Sequence, residues 1–433
     1  MKRAGLFVPA VLLFLTIFTA ACLRPGGAVS PQPGGPAQPA VPAPTAKPVE
    51  QTPQPAAKQL TILASSAQPE FPAQLIFSLK AGSSVNITDI RMHYAIVKES
   101  FASVTSEVFI EFTPSPGVSV QWPWDMKKTG GIPTGATVRY WWTVKDSNGD
   151  KIETAPATIN FDDNRHTWQS LTQNNVTIYW YSGGKSFAGE LMATAQQAMT
   201  RLALNTGATL KRPVRIYIYA STQDLQGAMI FPQEWTGGAA FPEYGIITIG
   251  IDPNNLTWGK GAITHELTHL VIHQVTFNPY IDLPTWLDEG LAMYNEGPLE
   301  AGYADFLKAA IDNNRLISVR SLSSPFSAFP DQSYLSYAQS YSFIDFLVTG
   351  YGESKMLELL NTFSQGSSYD GALEKVYGFD MDGMNSAWRD FASKQYQKAK
   401  GPTVPQPPST GSAFGMLPGL MAANPGTAGR LGQ

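Results

Sequence analysis

Three of the chain's five histidines, His265, His269 and His273, fall within nine residues in the stretch T-H-E-L-T-H-L-V-I-H. On a helix, residues i and i+4 share one face about a turn apart. His265 and His269 can therefore address one ion, with Glu266 beside them. Imidazole nitrogen suits zinc, and a catalytic zinc keeps three protein ligands plus a water, so H-E-x-x-H is a zinc motif with a mechanism behind it. The third ligand discriminates among zinc-site types. A histidine six residues beyond His269 is excluded, because Val275 stands there. His273 lies about 6 Å further along the axis, too far to close one tetrahedral site with both others, and reads as a helix-end residue or one behind the site. The remaining pattern takes a glutamate from a following helix. Pro284-Thr-Trp-Leu-Asp-Glu-Gly supplies Glu289, with nineteen residues between it and His269 for a helix end, a loop and a return.

Taken together, His265-Glu266-Leu267-Thr268-His269 and Trp286-Leu287-Asp288-Glu289-Gly290 resemble the gluzincin metallopeptidases, specifically the peptidase MA-like group. The resemblance covers roughly residues 170 to 400 and extends to Tyr337-Ala338-Gln339-Ser340-Tyr341-Ser342-Phe343. It implies one catalytic zinc held by His265, His269 and Glu289, with Glu266 as the base, acting on a peptide or protein substrate. The chemistry of the residues agrees: zinc acidifies its water and polarises a carbonyl, and a carboxylate can carry the proton to the leaving amine. A developing oxyanion needs a second donor. No histidine follows His273, so a tyrosine is expected; Tyr337 and Tyr341 are the candidates, and either also reads as a core aromatic. Asp288 reads equally well as an orienting partner of a ligand histidine or as a solvent-facing helix residue. Where clan aminopeptidases carry G-x-M-E-N, this chain has Gly237-Gly-Ala-Ala-Phe-Pro-Glu243, which counts against aminopeptidase activity.

These residues need a scaffold. Helical spacing is expected over 187–204, where Leu191, Ala195, Ala198, Met199 and Leu202 line one face, and again over 259–275, 284–295, 303–313, 333–349, 354–364 and 380–398. Val176-Thr-Ile-Tyr-Trp-Tyr, Pro213-Val-Arg-Ile-Tyr-Ile-Tyr and Gly245-Ile-Ile-Thr-Ile-Gly read as strands. The last reads as an ordinary core strand or as the edge strand that pairs with substrate. Residues 163–400 are thus expected to form an α+β zinc domain with a mostly helical C-terminal half. Before it, residues 59–162 carry six or seven short runs of β-branched and aromatic residues, with a turn at Asp146-Ser-Asn-Gly-Asp. They are expected to form an all-β sandwich of the immunoglobulin or fibronectin kind. The fold class is multidomain: a sandwich, then a gluzincin-like metallopeptidase domain.

The two ends differ in texture. Lys2 and Arg3 precede an apolar run from Gly5 to Ala21, the layout of an export signal over residues 1–21. The only cysteine, Cys22, follows the run behind small residues, which resembles the lipobox of bacterial lipoproteins. A lipid on Cys22 would anchor the chain outside the cytoplasm; a plain signal peptide or an uncleaved anchor fits the same run. Residues 22–58 and 401–433, rich in Pro, Ala and Gly, are expected to be a disordered tether and tail. The net charge is −4 with 15% charged residues, which provides no basic field for nucleic acid. Against the peptidase reading stands a non-catalytic surface binding or adhesion protein with a retained structural zinc domain. Glu266 argues against it, because a structural site needs no base.

Overall fold

The computed structural model describes residues 59–99, 102–232, 236–327 and 329–397. The expected signal, Cys22, tether and C-terminal tail lie outside them. The described chain begins with seven strands: β1 Thr61–Glu70, β2 Gln74–Val97, β3 Ser106–Phe109, β4 Ser115–Asp125, β5 Ala136–Asp146, β6 Lys151–Glu153 and β7 Ala157–Phe161. They form one hydrogen-bonded network in which β2 is the spine. The two runs that the sequence suggests as separate strands, Gln74–Leu79 and Ile90–Val97, are the two ends of this 24-residue strand. Its first half pairs with β1 and β4, its second with β3 and β5, and the register shifts between Gly82 and Ile87. A strand that changes partners at an irregularity lets one chain segment serve two pairings. Phe77, Leu79, Met92, Trp142 and Phe161 fill the core of this half.

The second sheet has five strands in the order β11-β12-β10-β9-β8. Strand β8 is Gln169–Gln173, β9 Val176–Trp180, β10 Val214–Tyr219, β11 Gly238–Phe241 and β12 Ile246–Gly250. Helix α1, Lys185–Thr206, crosses between the parallel strands β9 and β10, and the short α2, Thr222–Gln226, follows β10. Strands β10 and β12 are also parallel, and β12 is buried along its whole length. An interior strand covered on both faces reads as a continuous apolar run, and I-I-T-I does. Of the two readings of Gly245–Gly250, the ordinary core strand holds and the substrate-pairing edge does not. β12 is interior, and the strand at the sheet edge is β11, which pairs antiparallel with it.

Seven further helices follow: α3 Leu256–Thr276, α4 Thr285–Glu296, α5 Ala301–Asp312, α6 Pro330–Tyr351, α7 Glu353–Ser364, α8 Tyr369–Tyr377 and α9 Met381–Gln397. Helix α3 is buried on nearly every side, as expected of a central helix. It ends before Asn278-Pro279, since the residue ahead of a proline avoids the helical region. The Asn278 side chain then builds the return. Its Oδ1 accepts from Tyr280 and Ile281 N–H at 2.9 and 3.0 Å, and its Nδ2 donates to the Thr276, Ile281 and Phe363 carbonyls at 3.0–3.1 Å. Pro284 stands one residue ahead of α4, at its N-cap. Helix α4 crosses α6 at Gly290, where a Cβ would lie 2.5 Å from the Ser340 carbonyl oxygen. Among the described residues, no helix is long and apolar enough to cross a membrane.

Candidate metal centre

Helix α3 presents His265 and His269 from successive turns, and α4 presents Glu289, just past its first turn, to both. All three are buried. Glu289 Oε2 lies 3.3 Å from His265 Nε2 and 3.5 Å from His269 Nε2. Among the described residues, none of these three atoms has a hydrogen-bond partner. Three buried polar atoms facing one another without hydrogen bonds are costly unless something sits between them. Ligand bonds of about 2.0–2.1 Å in a tetrahedron place neighbouring ligand atoms about 3.3–3.4 Å apart. The observed spacings match that edge, so the residues present fit a zinc ion.

The far side of each histidine is braced. His269 Nδ1 donates to Asp288 Oδ1 at 2.8 Å, and His265 Nδ1 to Glu296 Oε1 at 2.7 Å. Donation from Nδ1 leaves the Nε2 lone pair for a metal. Asp288 thus takes the orienting place rather than the solvent-facing one. Glu296 is missing from the sequence reading, although it stands seven residues after Glu289, two turns along the same face. Its backbone is pinned: Arg201 Nη1 donates to the Asn295 carbonyl at 2.6 Å and the Glu296 carbonyl at 2.9 Å. Asn295 Nδ2 reaches Thr268 Oγ1 at 2.8 Å and ties α4 to α3. His273 is no ligand of the convergent set; its Nε2 bonds Asp288 Oδ2 at 3.0 Å.

Burial alone would lower the histidine pKa values, yet Glu289 and Glu296 raise His265 to about 9, and Asp288 and Glu289 raise His269 as well. Glu289 is held below its ordinary value: burial pushes it up, and the histidines outweigh that. Glu266 is fully buried, and neither carboxylate oxygen hydrogen-bonds to a described residue. Burial lifts it to about 7 against the pull of His269 and His265. Strand β11 passes close by: a Cβ on Gly238 would lie 2.7 Å from Glu266 Oε1. A run of small residues, G-G-A-A, is what this approach requires, and it is also why β11 lacks a strand signal.

Beside the ligands opens a cleft of about 370 Å³, lined by His269, Glu289, Tyr337, Phe277 and Phe326 and by Lys98 and Glu99 from the end of β2. Tyr337 is buried on α6, and burial followed by the charge of Glu289 raises its pKa, so it stays protonated. Tyr341 is not brought to this cleft. One turn further along α6, it packs at 5.5 Å on Tyr294. Tyr303 of α5, unsuspected from sequence, lies within the electrostatic reach of Glu296 and Glu289.

Residues 194–394 match the model of the Peptidase MA superfamily. The match spans a little under half of the chain. It runs from within α1 to within α9 and includes His265, Glu266, His269, Asp288, Glu289 and Glu296. No curated protein matches the chain. Among solved structures, the chain is similar to an M1 zinc metallopeptidase from Deinococcus radiodurans, at 12% identity over 78% of this chain and 95% of that one, with a TM-score of 0.35. It is also similar to catalytically inactive OgpA from Akkermansia muciniphila in complex with an O-glycopeptide, at 12% identity over 26% of this chain and 31% of that one, with a TM-score of 0.18. The chain therefore spans about a third of the OgpA structure. The match to the Peptidase MA superfamily model supports a zinc peptidase-like function.

Proposed function

We propose that this protein is a zinc-dependent metallopeptidase that hydrolyses peptide bonds, with His265, His269 and Glu289 as ligands and Glu266 as general base. One observation carries the reading: three buried ligand atoms without hydrogen bonds converge at tetrahedral spacing, with a buried, unpartnered carboxylate next to them. A zinc ion bound there would supply Lewis acidity and an acidified water. The remaining work falls to the chain. An extended peptide pairs with β11, the last strand of the sheet on that side, and lies over α3. Glu266 takes a proton from the attacking water on a carboxylate oxygen and delivers it to the departing amine. A pKa of about 7 suits a group that must do both near neutral pH. Tyr337, held protonated, donates from its hydroxyl to the oxygen of the carbonyl under attack.

The finer assignments belong to the same proposal. The β-rich half is a sandwich of the immunoglobulin or fibronectin kind in which β2 serves both faces. The protein works outside the cytoplasm, tethered through a lipid on Cys22. Zinc content by mass spectrometry, followed by peptide hydrolysis, tests the core of the reading. One zinc per chain is expected, lost in His265→Ala and Glu289→Ala. A protein that takes up zinc and cleaves nothing favours the binding-protein alternative; one that takes up no zinc contradicts both.

A further inference from the structure

We propose that His273, which lies outside the ligand set, is a positioning residue: it clamps the Asp288 carboxylate so that Oδ1 stays on Nδ1 of His269. The inference rests on the metal-site reading above. Three side chains stand in series. His269 Nδ1 is 2.8 Å from Asp288 Oδ1, and Asp288 Oδ2 is 3.0 Å from His273 Nε2. His269 and His273 are one turn apart on α3, so both face the first turn of α4, where Asp288 immediately precedes the ligand Glu289. Each oxygen of the Asp288 carboxylate thus meets one histidine.

The two histidine braces are held differently. Glu296 is secured through its backbone by Arg201. Asp288 has no such anchor on its side chain. The terminal torsion of an aspartate is broad, and a carboxylate held at one oxygen can turn away from its donor. A second donor on the other oxygen removes that freedom. With the bond from Nδ1 fixed, the ring of His269 is fixed too, and its Nε2 keeps its aim at Glu289 and His265. His273 differs from His269 in exposure: its side chain is 34% exposed and lines the cleft, against 1% for His269. A buried packing role would not place it there.

The test is the rate at which zinc passes from the loaded full-length protein to a coloured chelator. Wild type, His273→Leu, His273→Gln, Asp288→Asn and the double variant His273→Leu/Asp288→Asn are compared. Gln places an N–H donor where the Nε2 of histidine stands, so it can still serve Asp288. Loss of an outer hydrogen-bond partner typically costs 10- to 100-fold in metal affinity, so His273→Leu should release zinc about tenfold faster, and His273→Gln should stay within about threefold of wild type. In the Asp288→Asn background, His273→Leu should add nothing. The visible spectrum of the cobalt-substituted protein should change in His273→Leu and recover in His273→Gln. Wild-type release and spectrum in His273→Leu would overturn the proposal. So would equal acceleration in Leu and Gln variants with matching losses of metal-free melting temperature, or additive effects in the double variant. Wild type that binds no zinc would overturn the metal reading and this inference together.

Discussion

At the scale of single residues, the proposed reading puts the chemistry on Glu266, and its surroundings set its properties. It is buried beside two histidines and has no hydrogen-bond partner among the described residues. Replacing it by Gln keeps the shape and removes the base, so hydrolysis should fall by about 10²- to 10⁴-fold while zinc content stays at one per chain. The histidines give a second expectation. His265 is raised to about 9 and His269 is raised as well, so both imidazoles hold protons at pH 7 in the metal-free protein. Zinc must displace them, and binding should release roughly one or more protons per ion. Titration calorimetry at pH 7 in buffers of different ionisation enthalpy reads this number directly. The sign follows from the shift. His265, so raised, stabilises the metal-free protein below about pH 6.5, and its contribution fades as pH climbs through about 9. Metal affinity should therefore rise over the same interval, and proton release should shrink. A binding enthalpy independent of buffer would contradict this picture.

At the scale of elements, close approaches of helix and strand hold the centre in shape. Gly290 lets α4 lie against α6, with the Ser340 carbonyl 2.5 Å from where a Cβ would stand. Gly290→Ala should cost about 1–3 kcal/mol, read as a lower melting temperature, and should loosen Glu289 on the same turn. Gly238→Ala meets the Glu266 carboxylate instead; it should lower kcat with little change in melting temperature. Whether an element is visible in sequence follows from how it is buried. Helices α1 and α7 show their periodicity because one face is buried and apolar. Strand β4 does not, because Pro116, Gly117 and Pro123 interrupt it, and it tolerates them because it pairs with β2 alone. Strand β11 is hidden by its small residues. Helix α8 is short and was not expected. The pair of runs in β2 looks like two strands because the polar stretch between them includes the register shift. In the site, the spacing of His265, His269 and Glu289 announces their convergence. Lys98, Glu99 and Asn278 act through distant parts of the chain, and no local spacing marks them.

At the scale of the whole molecule, the cleft has walls from both halves. The Glu99 N–H donates to the Glu243 carbonyl at 2.7 Å, its side chain pairs with Arg212, and Lys98 sits 5.7 Å over the Tyr244 ring. The turn after β2 is thereby fixed against the Pro242–Tyr244 segment that follows β11. Lys98→Glu should change KM for charged peptides several-fold and leave kcat near wild type, since Lys98 lines the cleft without touching Glu266 or the ligands. A change in kcat alone would place Lys98 in the chemistry instead. The central claim, that Glu266 beside a zinc held by His265, His269 and Glu289 breaks peptide bonds, is tested most directly on a mixed peptide library. Zinc-loaded wild type and zinc-loaded Glu266→Gln are incubated with the library and the products read by mass spectrometry. Cleavage by wild type, abolished by a chelator and absent with Glu266→Gln, is the predicted result; equal cleavage by both proteins, or an untouched library with zinc-loaded wild type, would contradict it.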